Sequence, residues 1–250
     1  MTRDRWLALL YATTALLHLL PIWRVQYIPT VDGPSHVYNA VVMRELAAGS
    51  PEMQRVFRID ARPSPNWMSH AMLRLALTVA SPLVAEKLVL SIIVLLFLGG
   101  LWMLGRVYAF LAMPLVYSLL MQMGSYNFML ATALMMFAVA LWWREAKPIA
   151  LAILLIATYF AHPIPTAVAL LFIGVASLAL RRRILATFAA LTPATLLLGW
   201  FALQPSAEQG VAWSWKGTVL WQPLTRMLLL LTFDLRQLTF GTVSASSSAC

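Results

Sequence analysis

Cysteine and charged residues are scarce in this sequence. The single cysteine, Cys250, excludes an internal disulfide and any cysteine-based metal site. Only 11% of the 250 residues are charged and 61% are hydrophobic, whereas a soluble domain has roughly 25% charged residues. This composition excludes an ordinary soluble protein and predicts a polytopic membrane protein.

Several features of soluble enzymes are also missing. The sequence contains no glycine-rich phosphate loop, no His/Cys metal cluster and no internal repeat. Acidic residues number 9 against 18 basic ones, which gives a net charge of +9. In a membrane protein such an excess indicates cytoplasmic loop ends and contacts with anionic lipid head groups. We therefore expect membrane lipids as partners, no nucleic acid and no cofactor.

Long apolar runs take up most of the chain. Because about 20 apolar residues cross a bilayer as a helix, we predict an all-α transmembrane bundle of about eight helices, several of them short. The predicted spans are 6–23, 67–81, 88–105, 107–123, 126–143, 148–161, 164–180 and 184–203. The first is interpreted as a retained anchor, because no small-residue cleavage site follows it. Residues 224–238 are predicted to form an interfacial helix.

One polar stretch, residues 27–40, interrupts the apolar pattern and opens the long loop 24–66. Asp32, Gly33 and Pro34 are typical of a helix start, and an amphipathic helix is predicted over 36–48. His36 follows Asp32 by one helical turn, so the two side chains can share a site. Two interpretations stay open: a capping aspartate beside a surface histidine, or a general base with a partner. A divalent cation would need a third ligand, and Glu45 lies too far along the helix to supply one.

Two other groups of polar residues stand out. His70 and Arg74 have helical i, i+4 spacing, and together with the loop arginines they could bind phosphate oxygens. Alternatively, Arg74 extends to the lipid head groups. Residues 124–127, Gly-Ser-Tyr-Asn, form either a polar hinge that lines a cavity or a simple turn between two helices.

The orientation of the chain is open from charge alone. If every predicted span crosses, the arginine-rich loop 24–66 lies on the same side as Arg181, Arg182 and Arg183, as the positive-inside rule favours. The alternative places Arg3 and Arg5 on that side and the loop opposite. It requires one short segment to be re-entrant.

The layout and three short motifs resemble the GT-C membrane glycosyltransferases, including the protein mannosyltransferase-like and lipopolysaccharide sugar-transferring families. The motifs are residues 29–36 (Pro-Thr-Val-Asp-Gly-Pro-Ser-His), 65–67 (Pro-Asn-Trp) and 85–88 (Ala-Glu-Lys-Leu). The resemblance implies a polyprenyl-phosphate sugar donor and a first-loop aspartate on the outer face, and so favours the second orientation. Many members have a second acidic residue where this chain has Gly33.

The resemblance supplies the predicted roles. Asp32 is expected to be the catalytic base with His36 as its partner, in a transfer of a hexose or pentose to an acceptor at the outer membrane face. The predicted substrate-binding residues are Arg58, His70, Arg74, Asn39, Tyr126 and Asn127. Residues 1–203 are expected to form the catalytic core, and residues 204–250 a Trp-rich polar loop, the interfacial helix and a low-complexity tail.

Other functions are compatible with the same sequence. A transporter or lipid flippase would use Arg74 and His162 along its path, and a non-catalytic membrane subunit would use neither. The expected location is the inner (cell) membrane of a bacterium, as a multi-pass protein.

Overall fold

The computed structural model describes residues 3–60 and 62–204, and every regular element in this part of the chain is helical. The α-helices are α1 (Arg3–Leu17), α2 (Leu20–Arg24), α3 (Gly33–Ala47), α4 (Pro51–Val56), α5 (Met68–Ala76), α6 (Pro82–Gly105), α7 (Ala109–Ala112), α8 (Leu119–Gln122), α9 (Tyr126–Trp143), α10 (Pro148–Ala161), α11 (Pro163–Ala179) and α12 (Ile184–Leu203). The predicted all-α bundle is confirmed. The predicted interfacial helix and tail lie outside the described residues.

Within residues 3–60 and 62–204, four stretches are long and apolar enough to cross a membrane. They are Arg3–Arg24, Pro82–Gln122, Tyr126–Trp143 and Ile184–Leu203. The shorter helices α10 and α11 are also apolar. Large apolar side chains, such as Leu171 and Leu185, are exposed on the outside of the bundle. Exposed leucines on long apolar helices fit a lipid environment, so the prediction of a membrane protein is confirmed at this level.

Helices α6 and α9 run parallel and in register at the centre of the bundle. At one end the Tyr126 hydroxyl donates to Glu86 Oε1 over 2.6 Å. At the other end Arg144 Nη2 donates to the Met103 carbonyl over 3.2 Å. We call the end at Glu86 and Tyr126 the network end, and the end at Met103 and Arg144 the basic end.

Between α6 and α9 the chain runs from the basic end back to the network end as a series of short helices and turns. The predicted span 107–123 is wrong as a continuous helix: 3₁₀ turns at Arg106–Tyr108 and Met113–Tyr117 alternate with α7 and α8. Pro114 has no N–H for a helical hydrogen bond, and Ser118 is extended (φ −60°, ψ 172°). Both features break the helix, yet the segment still connects the basic end to the network end.

The predicted span 67–81 is also wrong as a crossing helix. Helix α5 has only nine residues, a length of about 14 Å. It begins at the network end, where the Trp67 N–H donates to the Phe160 carbonyl. The chain is still at the network end when α6 begins at Pro82. A helix of this length matches the short segment that one of the two predicted orientations requires.

The first two helices run antiparallel to α6. The Tyr11 hydroxyl donates to the Leu98 carbonyl over 2.8 Å, and Lys87 Nζ donates to the Val25 carbonyl over 2.5 Å. The amino terminus of α1 thus lies at the basic end, while the loop that follows α2 lies at the network end. The arrangement of these elements matches the orientation in which Arg3 and Arg5 share one end with Arg181–Arg183.

The turns at the basic end hold charged residues at positive φ, where glycine is usual. These residues are Arg106, Glu145, Arg181 and Arg183, with φ of 50°, 57°, 51° and 43°. A left-handed residue other than glycine costs roughly 1 kcal/mol. The chain therefore keeps charge at these turns at the expense of backbone stability.

Arginines at the basic end also bind backbone carbonyls at the ends of helices. The contacts are Arg144 to Met103 O (3.2 Å), Arg182 to Trp143 O (3.3 Å) and Arg183 to Glu145 O (2.7 Å). Carbonyls at a helix carboxyl end lack partners and carry partial negative charge, so cations stabilise them. These arginines therefore hold α6, α9 and α12 together at this end.

Candidate functional site

The start of α3 is bound to the turn that precedes α9. The Val31 N–H donates to the Gln122 carbonyl and the Asp32 N–H to the Met123 carbonyl, each over 3.0 Å. Gly124 makes this turn with a φ of 78°. A Cβ on Gly124 would lie 2.7 Å from the Gly33 nitrogen. Residues 124–127 are thus more than a turn between hairpin helices, since they form the surface on which the first loop rests.

The predicted helix 36–48 is confirmed as α3, which starts three residues earlier, at Gly33. Gly33 is buried where three polar side chains meet. A Cβ at this position would lie 2.6 Å from Glu86 Oε1 and closer still to Thr30 Oγ1 and the Tyr126 hydroxyl. No side chain fits here without rearrangement. The acidic residue that the GT-C resemblance places next to Asp32 therefore has no space in this chain.

A hydrogen-bonded group of three side chains surrounds Gly33. The Tyr126 hydroxyl donates to Glu86 Oε1 over 2.6 Å, and Thr30 Oγ1 lies 3.0 Å from the same hydroxyl. Because the Tyr126 proton is directed at the carboxylate, Thr30 is the donor in the second bond. Tyr126 is fully buried and Glu86 is 6% exposed. Tyr126, a predicted substrate-binding residue, thus lies in the interior and fixes the segment before α3.

His36 and His70 form a direct pair. His36 Nδ1 lies 2.8 Å from His70 Nε2, and His36 Nε2 lies 2.9 Å from the Gly124 carbonyl. Since a carbonyl only accepts, His36 carries its proton on Nε2 when neutral, and Nδ1 is left to accept from His70 Nε2. The contacts of His36 with the Gly124 carbonyl and with His70 therefore assign the tautomers of both neutral rings.

This assignment identifies where a further proton would bind. In the neutral pair His70 Nδ1 carries no proton, although the Asn66 carbonyl faces the ring and favours its charged form. Burial opposes that charge and, with the neighbouring His36, lowers the pKa of His70 to about 4. Burial likewise lowers the pKa of His36, against the opposing effects of the Gly124 carbonyl and Asp32. The pair is accordingly neutral at neutral pH.

Asn127 connects this pair to the entry of α5. Its Oδ1 accepts from the Ser69 N–H over 2.8 Å, and its Nδ2 donates to the Asn66 carbonyl over 2.7 Å. The side chain is 5% exposed. Asn127 is a predicted substrate-binding residue, and in the structure its amide holds α5 against α9. The buried Ser69 hydroxyl next to it makes no hydrogen bond within the described residues.

Asp32 stands at the N-cap position of α3 with an exposed side chain. Its carboxylate makes no capping hydrogen bond, so the interpretation as a simple capping aspartate loses its main support. The charge is nevertheless close enough to His36 to favour the protonated ring. The structure therefore places Asp32 one helical turn before His36, as the sequence predicts, and brings His36 into contact with His70.

The remaining predicted residues do not join this hydrogen-bonded network. Arg58, Arg74 and Asn39 are exposed, and none of them makes a side-chain hydrogen bond to another described residue. Arg62 instead pairs with Asp60 over 2.6 Å, which lowers the pKa of that carboxyl through the hydrogen bond. The predicted arginine cluster is thus a set of exposed cations on the loop and on α5.

Two residues of the network were missed as site residues. Glu86 is part of the motif 85–88, and Thr30 is part of the polar stretch 27–40 and of the motif 29–36, but neither is predicted as a site residue. The sequence does contain a signal for Glu86, because it is an acidic residue within an apolar helix. A charge in such a helix is costly in free energy unless it has a partner, so a partner can be expected. Among the described residues no three His, Cys, Asp or Glu side chains lie close enough to hold a metal ion.

An apolar hollow of about 480 Å³ opens between the loop and α12. It is lined by Pro63, Pro193, Leu196, Leu197 and Trp200. Pro63 belongs to the segment just before α5, and its carbonyl accepts from the Tyr159 hydroxyl over 2.8 Å. The hollow thus lies toward the network end, although Asp32 is not part of its lining.

Comparisons with protein-family models, with curated proteins and with solved structures find no match for this chain.

Proposed function

We propose that this chain is an inverting membrane glycosyltransferase that moves a sugar from a polyprenyl-phosphate donor to an acceptor hydroxyl. The observation that carries the proposal is the exposed, uncapped carboxylate of Asp32, positioned by a backbone that is bound to the 122–124 turn. A base must reach the solvent-facing acceptor and still be held in place. Asp32 meets both requirements.

In the proposed reaction Asp32 accepts the proton of the acceptor hydroxyl. The acceptor oxygen forms a bond to the anomeric carbon of the sugar while the bond from that carbon to the phosphate oxygen breaks. The leaving group is the polyprenyl phosphate, which takes the bonding electrons. Negative charge therefore develops on the phosphate, and cationic side chains near it would lower the barrier.

The surroundings of Asp32 support this assignment of roles. Arg58 and Arg74 are exposed and so available to a phosphate at the interface. The neutral His36–His70 pair supports the start of α3 without neutralising the nearby carboxylate. The apolar hollow by Pro63 and Trp200 suits part of a hydrocarbon chain. We propose a multi-pass protein of a bacterial inner membrane with the network end on the outer face.

The test is sugar transfer by the full chain in detergent, with sugar-labelled polyprenyl-phosphate hexoses and pentoses as donors. Asp32→Asn should lower turnover by roughly a hundredfold or more, because a general base contributes at least that much. Glu52→Gln, an exposed carboxylate in the first turn of α4, is the matched control and should retain activity. Undiminished transfer by Asp32→Asn would remove Asp32 from the mechanism.

The transporter alternative depends on Arg74 and His162. His162 accepts a hydrogen bond from the Ile164 N–H over 3.2 Å and so caps α11. This structural role accounts for the residue without a transport path. A transporter would move the labelled donor across a vesicle membrane without forming a glycosylated product. The transfer assay would then detect no product.

A further inference from the structure

The two ends of the bundle differ in charge. Eight cationic side chains and two carboxylates belong to the basic end within the described residues. The cations are Arg3, Arg5, Arg106, Arg144, Lys147, Arg181, Arg182 and Arg183, and the carboxylates are Asp4 and Glu145. Residues 24–87, at the network end, carry seven cations and five carboxylates. Tertiary structure thus concentrates positive charge that the sequence distributes over four segments.

Some of these cations have a structural role and others do not. Arg144, Arg182 and Arg183 bind backbone carbonyls at helix ends. Lys147 and Arg181 are exposed and make no side-chain hydrogen bond within the described part of the chain. Arg181 also holds a left-handed turn that glycine would adopt without strain. Helix geometry therefore does not account for these two charges.

Tryptophans mark the depth of this surface. Arg106 lies 4.8 Å from the ring centre of Trp102, and Arg182 lies 5.3 Å from that of Trp143. Tryptophan side chains are enriched where the hydrocarbon of a bilayer meets the head groups. Cations beside such rings are at the level of lipid phosphates. The apolar helices α6, α9, α11 and α12 meet the cationic turns at this level.

We propose that the basic end is a docking surface for anionic phospholipid head groups, with Lys147 and Arg181 as phosphate-binding residues. The surface combines an excess of cations, adjacent tryptophans and two exposed cations that the fold does not require. This proposal does not depend on the proposed sugar transfer. It also implies that the basic end faces the anionic leaflet and that the network end faces the opposite side.

The experiment titrates phosphatidylglycerol into the full chain in phosphatidylcholine–detergent micelles and follows the unfolding midpoint and the lipid bound by native mass spectrometry. We expect phosphatidylglycerol, but not phosphatidylcholine, to raise the midpoint. One basic residue near an anionic surface contributes about fivefold in affinity. The double variant Lys147→Gln/Arg181→Gly should therefore need about thirtyfold more phosphatidylglycerol.

Controls separate the lipid from general charge and from folding. Arg24→Gln/Arg55→Gln removes the same charge from two exposed positions at the network end and should keep the full response. Arg181→Gly relieves a left-handed arginine, so the double variant should fold in phosphatidylcholine with an unchanged or higher midpoint. Sodium phosphate alone should not raise the midpoint.

Three results would overturn the proposal. The double variant could respond to phosphatidylglycerol like the parent chain, the network-end variant could lose the response equally, or free phosphate could reproduce it. The last result would indicate a soluble anion site. Failure of sugar transfer would leave this result unaffected, because no step here uses the donor.

Discussion

The basic end and the network end place polar groups on the same helices in opposite ways. At the basic end, the exposed Arg144 and the half-buried Arg182 bind the carbonyls of Met103 and Trp143 at helix ends. At the network end, α3, α6 and α9 begin, and their first turns hold buried or half-buried groups such as Tyr126 and His36. Helix carboxyl ends favour cations, whereas helix amino ends favour acceptors and anions. The direction of α6 and α9 therefore gives the molecule its polarity.

The two ends should also differ in their tolerance of substitution. Charges on an exposed surface are solvated and contribute little each, whereas a buried polar group is costly once its partner is lost. Changes in the network should accordingly have the larger effects.

The largest effect is expected from Gly33→Ala. The added methyl group would clash with Glu86, Thr30 and Tyr126, and overpacking of this kind costs about 3 kcal/mol. Gly199→Ala is the matched control, because its Cβ would have no neighbour within 4 Å. The free energy of unfolding in mixed micelles should fall for the first variant and hold or rise for the second. Equal stability of both variants would contradict the packing around Gly33.

Tyr126→Phe should have the next largest effect. It removes the hydroxyl that donates to Glu86 and accepts from Thr30, and an unsatisfied buried group costs about 2 kcal/mol. Tyr108→Phe changes an exposed tyrosine at the basic end and should be neutral in the same unfolding titration. If both variants unfold alike, the buried network contributes nothing to stability.

The histidine pair predicts a pH dependence. Burial lowers the pKa of His70 from 6.5 to about 4 in the folded chain, so the unfolded chain binds more protons between these values. Stability should be complete above pH 6.5 and fall as the pH drops toward about 4. His70→Gln keeps an N–H donor for His36 but cannot titrate, so its unfolding midpoint should vary less over this range. The same pH slope in both chains would count against the pair.

Arg183→Gln should have the smallest effect. The guanidinium donates to the Glu145 and Ala146 carbonyls in an exposed turn, and such bonds contribute about 1 kcal/mol. Arg5→Gln removes an equal charge from an exposed position of α1 and serves as the control. The unfolding midpoint should shift for Arg183→Gln alone. A matching shift in both variants would indicate a general effect of charge instead of a helix cap.

Local sequence patterns predicted the bounds of individual helices better than they predicted which apolar runs form continuous membrane-spanning helices. Helices α9, α10 and α12 have the predicted bounds, because each is an unbroken apolar run with a clear start. Residues 67–81 look equally apolar, yet α5 ends after nine residues. Whether a short run crosses or returns depends on where its neighbours lie, and hydropathy does not encode that position.

The site was predicted in part for a similar reason. The one-turn spacing of Asp32 and His36 follows from helical geometry alone. His70, however, meets His36 across 34 positions of sequence, and Glu86 meets Tyr126 across 40. These partners are close only because α3 and α5 pack together and because α6 runs parallel to α9.

The sequence by itself determined that the chain is an all-helical, apolar and strongly basic membrane protein with one polar loop near its start. Tertiary structure alone decided which helix starts converge on Gly33, that α5 ends after nine residues, and that the dispersed arginines share one end. Composition and periodicity act over a few turns of helix, whereas these outcomes depend on side chains that pack across many tens of residues.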